Sequence, residues 1–299
     1  MQDFPNKPIR LLAIGPGGSH DFASRLLAPK LSAALGQPAV VEYQASGFVP
    51  AEIALKSAPD GHTLLVSGRA LWLMPLMQDN APYDVLRDFA PISLTTRGPE
   101  VLVVRPDLPV KTAADLIALA KARPGVLKYA SGGDGSNNHL AAELFKAMAG
   151  ADITRVRFKS SSERLAALLT GDVQMYFTGL CSFAPQIKAG ILKPLGLTTI
   201  TRSPLSPELP TIAESGLPGY ENITVGALFA PARTPPAIVS RLSDVTMGIM
   251  RSAEAKEYFF RDGYEAVGDS PQELVRMIKS DVQRVGKLIK DLGIRGGGD

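Results

Sequence analysis

Two glycine-rich segments have the composition of anion-binding loops. Residues 15–19 and residues 132–136 each follow a short apolar run and precede a helical pattern. A helix N-terminus leaves its first N–H groups unpaired and carries the positive end of the helix dipole, and glycine lets a ligand approach the backbone. Glycines at tight strand-to-helix turns are also common where nothing binds. Two such loops, one in each of two predicted lobes, favour a ligand held between facing helix ends.

Three cationic residues could bind the acid group of such a ligand. Arg69, Arg97 and Lys159 each lie near the predicted C-terminal end of a strand or in the loop after it, where open α/β sheets bind ligands. Arg can donate two hydrogen bonds to one carboxylate, whereas Lys acts as a point charge. Taken singly, each also fits a solvated surface cation. Trp72, the sole tryptophan, could stack on a ligand ring or pack in the core.

The sequence offers few groups for catalysis or for a cofactor. Neither glycine loop matches the G-x-G-x-x-G dinucleotide motif, and no G-x-x-x-x-G-K-[ST] occurs. The histidines His20, His62 and His139 form no zinc-binding pattern, and no G-x-S-x-G is present. Cys181 is the single cysteine, which excludes an internal disulfide. We therefore expect no catalytic residue, no metal and no cofactor.

Strands and helices that would position these loops alternate along most of the chain. Short apolar runs followed by helical patterns are typical of βαβ units and a parallel sheet, hence of an α/β fold. Strands are predicted at residues 9–14, 39–42, 63–67, 101–104, 127–130, 156–158, 173–177 and 224–229, and helices at residues 19–35, 51–57, 113–122, 137–149 and 162–169.

The C-terminal part is predicted to be helical, at residues 236–252, 253–262 and 271–292. In the last of these helices the apolar residues recur every three or four positions, which predicts one buried stripe. A helical tail with no strands of its own must cover another sheet, so we assign it to the first lobe. The predicted lobes are residues 1–98 plus 226–299 and residues 99–225. The stripe consists of Leu274, Ile278, Val282, Val285 and Ile289.

Composition and charge narrow the class of protein. The chain has 299 residues, with 45% hydrophobic and 20% charged, which is typical of a globular protein of one or two domains. A net charge of only +3, without a dense basic block, does not favour nucleic-acid binding. No run of 18 or more apolar residues occurs, and no signal-peptide pattern opens the chain. The residues alone therefore leave the compartment open.

The same loops carry a series of short motifs in a fixed order. They lie in residues 4–27 (FPNKPIR, then GPGGS-x-D), 58–65 (APDG-x-TLL), 83–92, 129–140 (YASGG-x-GS), 171–175 (GDVQM), 209–214 (LPTIAE) and 230–235 (APA-x-TP). One such motif is weakly specific, but the series over nearly the full length resembles the Bug family. These proteins are the extracytoplasmic solute receptors of tripartite tricarboxylate transporters.

The resemblance implies a type II periplasmic-binding-protein fold, with two α/β lobes and a ligand cleft between them. It also implies a periplasmic protein that closes around a small carboxylate and delivers it to a membrane permease. The carboxylate would be a dicarboxylate, a tricarboxylate or an aromatic acid. Carried onto this chain, the binding residues are Gly17, Gly18, Ser19 and Asp21 in the first lobe, and Ser131, Gly133, Gly135, Ser136 and Lys159 in the second.

Several positions depart from the family pattern. Phe48 and Pro50 stand where many relatives have glycines, which would reshape one wall of the cleft. Thr178 replaces an Asp that can pair with the ammonium of an amino-bearing ligand, which argues against an amino acid. Arg69 is uncommon at its position and predicts a second cationic contact, hence a ligand with two acidic groups or an aromatic acid. We therefore count Arg69 and Thr178 among the candidate binding residues.

Two other functions fit the same resemblance. A sensor that signals to a partner protein would use the same lobe closure, and residues do not separate it from a transport receptor. An enzyme on the same fold would need a base, a nucleophile or a metal, which the sequence does not offer. We expect a monomer that binds a small carboxylate and no nucleic acid.

Overall fold

The computed structural model describes residues 4–14, 19–44, 49–78, 81–133, 136–261, 263–291 and 293–294, and for Ser19 the backbone alone. Gly17, Gly18, Phe48 and Gly135, which the sequence analysis singled out, lie outside the described residues.

Two compact units make up the chain. The first comprises Met1–Arg97 with Thr224–Lys290, and the second Gly98–Ile223 with Asp291–Asp299. Asp291 therefore falls in the second unit, whereas the sequence analysis assigned the whole tail to lobe 1. The extent of the lobes as domains stays a prediction.

The N-terminal part of the first unit is built from βαβ units. The parallel strands are β1 (Ile9–Ile14), β2 (Ala39–Gln44) and β3 (Thr63–Gly68), with β1 in the middle. Apolar side chains of β1 and β3 lie in the core, which is why these runs are almost continuously apolar. The helices are α1 (Ser19–Leu35), α2 (Val49–Lys56), α3 (Ala70–Leu73) with a 3₁₀ turn at Met74–Met77, and α4 (Val85–Asp88).

Two long strands make the sheet mixed, which corrects the prediction of a parallel sheet. Strand β9 (Ile223–Pro231) lies between β3 and β4 (Phe89–Val104) and runs antiparallel to β3. Strand β4 runs through residues 97–99, at the predicted boundary between the lobes, and is much longer than the strand predicted at residues 101–104. The ladder of β4 with β10 ends at Arg97 and its ladder with β7 begins at Glu100. Pro99 lies between the two ladders, so its missing N–H group interrupts neither of them.

The second unit is a further α/β unit around three parallel strands. Strand β5 (Lys128–Ser131) lies between β6 (Thr154–Arg157) and β7 (Met175–Gly179) and is parallel to both. Strands β7 and β8 (Lys193–Leu197) run antiparallel to β4. The helices are α5 (Ala113–Ala122), α6 (Asn137–Ala149), α7 (Ser161–Thr170) and, after a 3₁₀ turn at Leu180–Phe183, α8 (Ala184–Lys188).

The C-terminal tail contains a strand that the sequence analysis missed. Helices α9 (Pro236–Arg251) and α10 (Ala253–Arg261) are followed by β10 (Glu265–Asp269) and α11 (Pro271–Asp291). Strand β10 pairs antiparallel with β4, so the prediction of a tail without strands is wrong. The sequence of this strand, Glu265-Ala266-Val267-Gly268-Asp269, has charged ends and no alternating apolar pattern, so it does not indicate a strand. Gly268 within it has a φ of +69°.

Helix α11 packs one face into the first unit. Leu274, Ile278, Val285 and Ile289 of the predicted stripe are buried, and Val282 is half-buried. One charged residue, Asp281, shares this buried face. None of the described helices is both long enough and apolar enough to cross a membrane.

Candidate ligand-binding site

Three neighbouring strands of the second unit end at the same edge of the sheet. Strand β5 runs parallel to β6 with Ser131 opposite Arg157, and parallel to β7 with Tyr129 opposite Met175. The carboxyl ends of parallel strands meet at one edge, which is where α/β proteins bind ligands. The structure thus brings together at this edge five residues predicted to bind the ligand: Ser131, Gly133, Ser136, Lys159 and Thr178.

Internal hydrogen bonds hold the turn between β5 and α6. Ser131 Oγ accepts a bond of 2.7 Å from Arg155 Nε, and Arg155 Nη2 donates to the Gly132 carbonyl at 2.9 Å. The Gly132 N–H donates to Asn138 Oδ1 at 2.9 Å, and Ser136 Oγ donates to the same oxygen at 2.8 Å. Ser131 is fully buried. Its hydroxyl therefore braces the turn, whereas Gly133 presents its backbone at the surface.

Helix α6 begins without a side-chain cap. Ser136 occupies the N-cap position, but its hydroxyl bonds Asn138 and makes no capping hydrogen bond. A Ser at this position usually accepts a bond from the backbone of the first turn. The Ser136 side chain therefore does not offset the positive end of the helix dipole at this turn. That end of the dipole attracts an anion.

Lys159 and Thr178 occupy different environments at this edge. The Lys159 side chain is exposed, and its backbone N–H donates to Glu163 Oε2 at 2.9 Å. Ser160, which caps α7, accepts from the Glu163 backbone. Thr178 is 5% exposed and lies in β7 opposite Val101 of β4. Lys159 is thus a solvent-facing cation and Thr178 a strand residue, and contact of either with a ligand stays a prediction.

Two residues that shape the turn were missed from the sequence. Asn138 accepts two hydrogen bonds from the turn, and Arg155 donates two. An Asn directly after a glycine loop, at the start of a helix, is a recognisable signal, because its side chain often bonds local backbone. Arg155 gives no such signal, since its contact depends on the pairing of β5 with β6.

In the first unit Asp21 is already paired. It is 3% exposed in the first turn of α1, and its Oδ1 accepts a 2.8 Å bond from Arg25 Nε and a bond from the Tyr43 hydroxyl. An acidic residue in a first turn also stabilises the helix dipole. These contacts explain Asp21 without a ligand. Its predicted ligand contact, and that of Ser19 beside it, stay predictions.

Arg69 is a buried partner of the C-terminal helix. It is 7% exposed, and its Nε and Nη2 donate to Asp281 Oδ2 and Oδ1 at 2.7 Å and 2.9 Å. The Trp72 indole N–H donates to Asp281 Oδ2 at 2.9 Å, and the Trp72 ring packs near Phe229. Asp281 therefore neutralises the charge of Arg69, which was predicted to bind a second acid group of the ligand. Trp72 is likewise a core residue, and the ligand contact of Arg69 stays a prediction that this pairing disfavours.

Arg97 also has a structural partner. Its Nη2 donates to Asp269 Oδ2 at 2.9 Å, across the pairing of β4 with β10. The side chain is 41% exposed, so the pair contributes little to stability.

His20 is enclosed near the carboxyl end of β3. Its Nε2 is buried and has no hydrogen-bond partner among the described residues, and a Cβ on Gly68 would lie 2.6 Å from it. Burial lowers the pKa of His20 to about 4, because the enclosed nitrogen is poorly solvated when the ring is a cation. His20 therefore stays neutral at pH 7.

We expect the substitution Asp281→Asn to destabilise the protein. It leaves the Arg69 guanidinium buried opposite a neutral amide, and breaking a buried ion pair typically costs about 3–5 kcal/mol. Urea unfolding followed by circular dichroism measures the loss. The matched control is Glu273→Gln on the same helix, whose exposed pair with Arg276 contributes at most about 1 kcal/mol. Equal midpoints for wild type and Asp281→Asn would contradict this account of Arg69.

We expect stability to fall as the pH falls from 6.5 towards 4. The folded pKa of His20 is lowered to about 4, so the unfolded chain binds a proton that the folded chain does not bind in this range. The contribution is fully present above pH 6.5 and is lost on acidification, by about 3 kcal/mol at most. Urea unfolding of wild type and His20→Gln across this range measures the difference. Parallel pH profiles for the two proteins would contradict the assignment.

The comparisons with known proteins agree on one family. The model of the tripartite tricarboxylate transporter family receptor matches residues 23–294. BugT of Bordetella pertussis is 34% identical over 301 residues, which cover 98% of this chain and 91% of the relative.

Two solved structures share the fold over nearly all of the chain. R. palustris Rpa4515 with adipate is 34% identical with a TM-score of 0.82, covering 98% of this chain and 99% of that one. MatC (Rpa3494) from Rhodopseudomonas palustris with bound malate is 25% identical with a TM-score of 0.77, covering 96% and 100%. The predicted α/β, periplasmic-binding-protein fold class is confirmed, and membership of a receptor family implies a location outside the cytoplasm. The chain belongs to the receptor family of the tripartite tricarboxylate transporters, as its resemblance to the Bug proteins predicted.

Proposed function

We propose that this chain is a periplasmic solute-binding protein that captures a small carboxylate by closure of its two lobes and delivers it to the permease of a tripartite tricarboxylate transporter. The observation that carries the proposal is the edge of the second unit at which β5, β6 and β7 end together. A glycine turn and the start of α6 lie at this edge, and both suit an anion.

Gly132, at the start of the turn, is held by hydrogen bonds on both of its backbone groups. Arg155 donates a hydrogen bond to the Gly132 carbonyl, and Asn138 accepts one from the Gly132 N–H. A ligand that meets a preorganised backbone spends less free energy on ordering it. Gly133 is exposed at this turn, and among the described residues an added Cβ would meet Arg157 Nη2 alone, at 3.9 Å.

The relatives support a ligand with two acid groups. Adipate and malate, the molecules named with the two R. palustris structures, are both dicarboxylates. A dicarboxylate, a tricarboxylate or an aromatic acid thus remains the class that we propose for this chain.

The chemistry of the turn supports binding without catalysis. The hydroxyls of Ser131 and Ser136 are bonded to Arg155 and Asn138, so neither is held by a general base as a nucleophile would be. We infer that the chain is not an enzyme and that it acts as a monomer.

We expect wild type to be stabilised by dicarboxylates such as adipate or malate in a thermal-shift panel that also contains tricarboxylates and aromatic acids. Binding to the native state alone adds about 2.7 kcal/mol at a hundredfold excess over Kd. The substitution Gly133→Leu should abolish the shift with little change in the unliganded midpoint, because Gly133 is exposed and the new side chain covers the backbone that the ligand approaches.

The matched control is Gly248→Leu. Gly248 is an exposed helix residue of the first unit, with open space around its Cα, and its variant should keep the full ligand shift. A ligand shift that survives Gly133→Leu unchanged would exclude binding at this turn, and no shift with any acid of the panel would refute carboxylate binding.

A further inference from the structure

A surface cavity of about 360 Å³ lies within the first unit. It is bounded by the end of α2 and the residues after it, by α4, and by the end of β9 and the residues after it. Strand β9 runs antiparallel to β3 with Phe229 opposite Leu65, so Pro231 at its end lies beside the amino end of β3. The cavity is therefore at the other end of β3 from the carboxyl end, where α/β sheets usually bind ligands.

The wall of the cavity combines apolar surface with charged side chains, and all of its lining residues are described by the structure. The apolar ones include Leu55, Pro59 and Pro231, and the charged ones are Arg87, Asp88 and Arg233. Small-molecule sites in proteins have volumes of about 300–1,000 Å³ and a mostly apolar lining with a few polar groups. The cavity thus has the size and the composition of a small-molecule site.

Arg87 is paired with an acid group in the same wall. Its Nε and Nη2 donate to Asp88 Oδ1 and Oδ2 at 2.9 Å and 2.6 Å. The hydrogen bond from Arg87 holds the pKa of Asp88 below its ordinary value, so Asp88 is ionised at pH 7. Arg87 Nη1 makes no hydrogen bond to any described residue, and it can still donate to a ligand.

Arg233 supplies a positive charge that the pair of Arg87 and Asp88 does not balance. The Arg233 side chain is exposed, and among the described residues it has no ion pair and no side-chain hydrogen bond. An exposed arginine on a flat surface is simply solvated. Arg233 differs from that case because it lines a cavity whose other walls can enclose a bound acid.

Charged residues close in sequence to the lining do not supply a counter-ion. Asp60 is bound to Lys7 at 2.8 Å, and the Asp84 side chain caps α4 by accepting backbone N–H groups. Lys56 is a further exposed cation. Asp79 lies outside the described residues and does not line the cavity. Within the described part of the chain, the cavity and its surroundings therefore carry a net positive charge.

We propose that this cavity is a second anion site, which binds a small carboxylate with Arg233 as its cationic partner. A guanidinium donates two hydrogen bonds to one carboxylate, and Arg87 adds a further donor through Nη1. The groups are exposed, so the dissociation constant is on the order of millimolar, and the cavity stays nearly empty at acid concentrations that saturate a tighter site. The inference goes beyond the proposed function and does not depend on it, because the cavity lies in the first unit.

The test is a titration of the full chain with succinate at pH 7 and constant ionic strength, followed by NMR. The reporter is the Ala232 amide, which lies in the cavity wall and donates to the Asp88 carbonyl at 3.0 Å. We expect a saturable shift in wild type, and binding that is weaker by about tenfold in Arg233→Gln, which removes a charged hydrogen-bond donor. Asp88→Asn should strengthen binding by about threefold, because it releases Arg87 from its counter-ion.

The matched control is Arg202→Gln, which removes a positive charge from an exposed pair with Glu214 in the second unit and should leave the titration unchanged. A wild-type shift that grows without saturating would overturn the proposal, since it reports ionic screening alone. Equal dissociation constants for wild type and Arg233→Gln, or unchanged or weaker binding in Asp88→Asn, would also overturn it.

One further variant separates this site from the proposed function. We expect the Ala232 shift to persist in Gly133→Leu, whose substitution lies in the second unit. Loss of the Ala232 shift in Gly133→Leu would show that succinate acts from the glycine turn, and it would overturn the second site while supporting the first. A wild type that shows the saturable Ala232 shift but no thermal shift with any acid of the panel would refute the proposed function and support this site.

Discussion

The parallel pairing of β5 with β6 and β7 is the constraint on which the account of this protein depends. Three strands that run the same way must release their loops at one edge. The turn at Gly132 and Gly133, the cap of α7 and the last residues of β7 therefore become neighbours although they are distant in sequence. Without that pairing the glycine turn would be an isolated surface feature, and the start of α6 would have no surrounding groups to define a ligand.

Charge balance distinguishes the two units. In the first unit the buried charge of Arg69 is matched by Asp281, and Asp21 is matched by Arg25, so these groups hold the fold together. In the second unit the hydrogen-bond partners of Arg164, among the residues that the structure describes, are the neutral oxygens of Tyr176, Ser161 and Phe158.

The sequence predicted the local features well and the distant ones poorly. Alternating apolar and helical patterns predicted the βαβ units, and the stripe at Leu274 and Ile278 predicted the buried face of α11, because both signals depend on neighbouring residues. Strand β10 was missed because its five residues have no period of their own. Strand β4 was predicted at residues 101–104 only, because Gly98 and Pro99 usually end an element.

Residues of the candidate site and its surroundings divide in the same way, into those that a local pattern indicates and those that depend on distant contacts. Glycine turns before helices are visible in the sequence, so residues 132–136 were singled out as a candidate loop. The family resemblance then nominated Ser131, Gly133 and Ser136, whose contact with a ligand stays a prediction. The partner of Arg69 lies 212 residues away along the chain, and no local pattern connects the two.

The central claim is that the turn between β5 and α6 binds an acid group with its backbone. A crystal structure of the chain with the acid that gives the largest thermal shift tests it most directly. The account predicts a carboxylate within hydrogen-bond distance of backbone N–H groups between Gly132 and the first turn of α6. An acid bound with both of its carboxylates away from this turn would contradict the account.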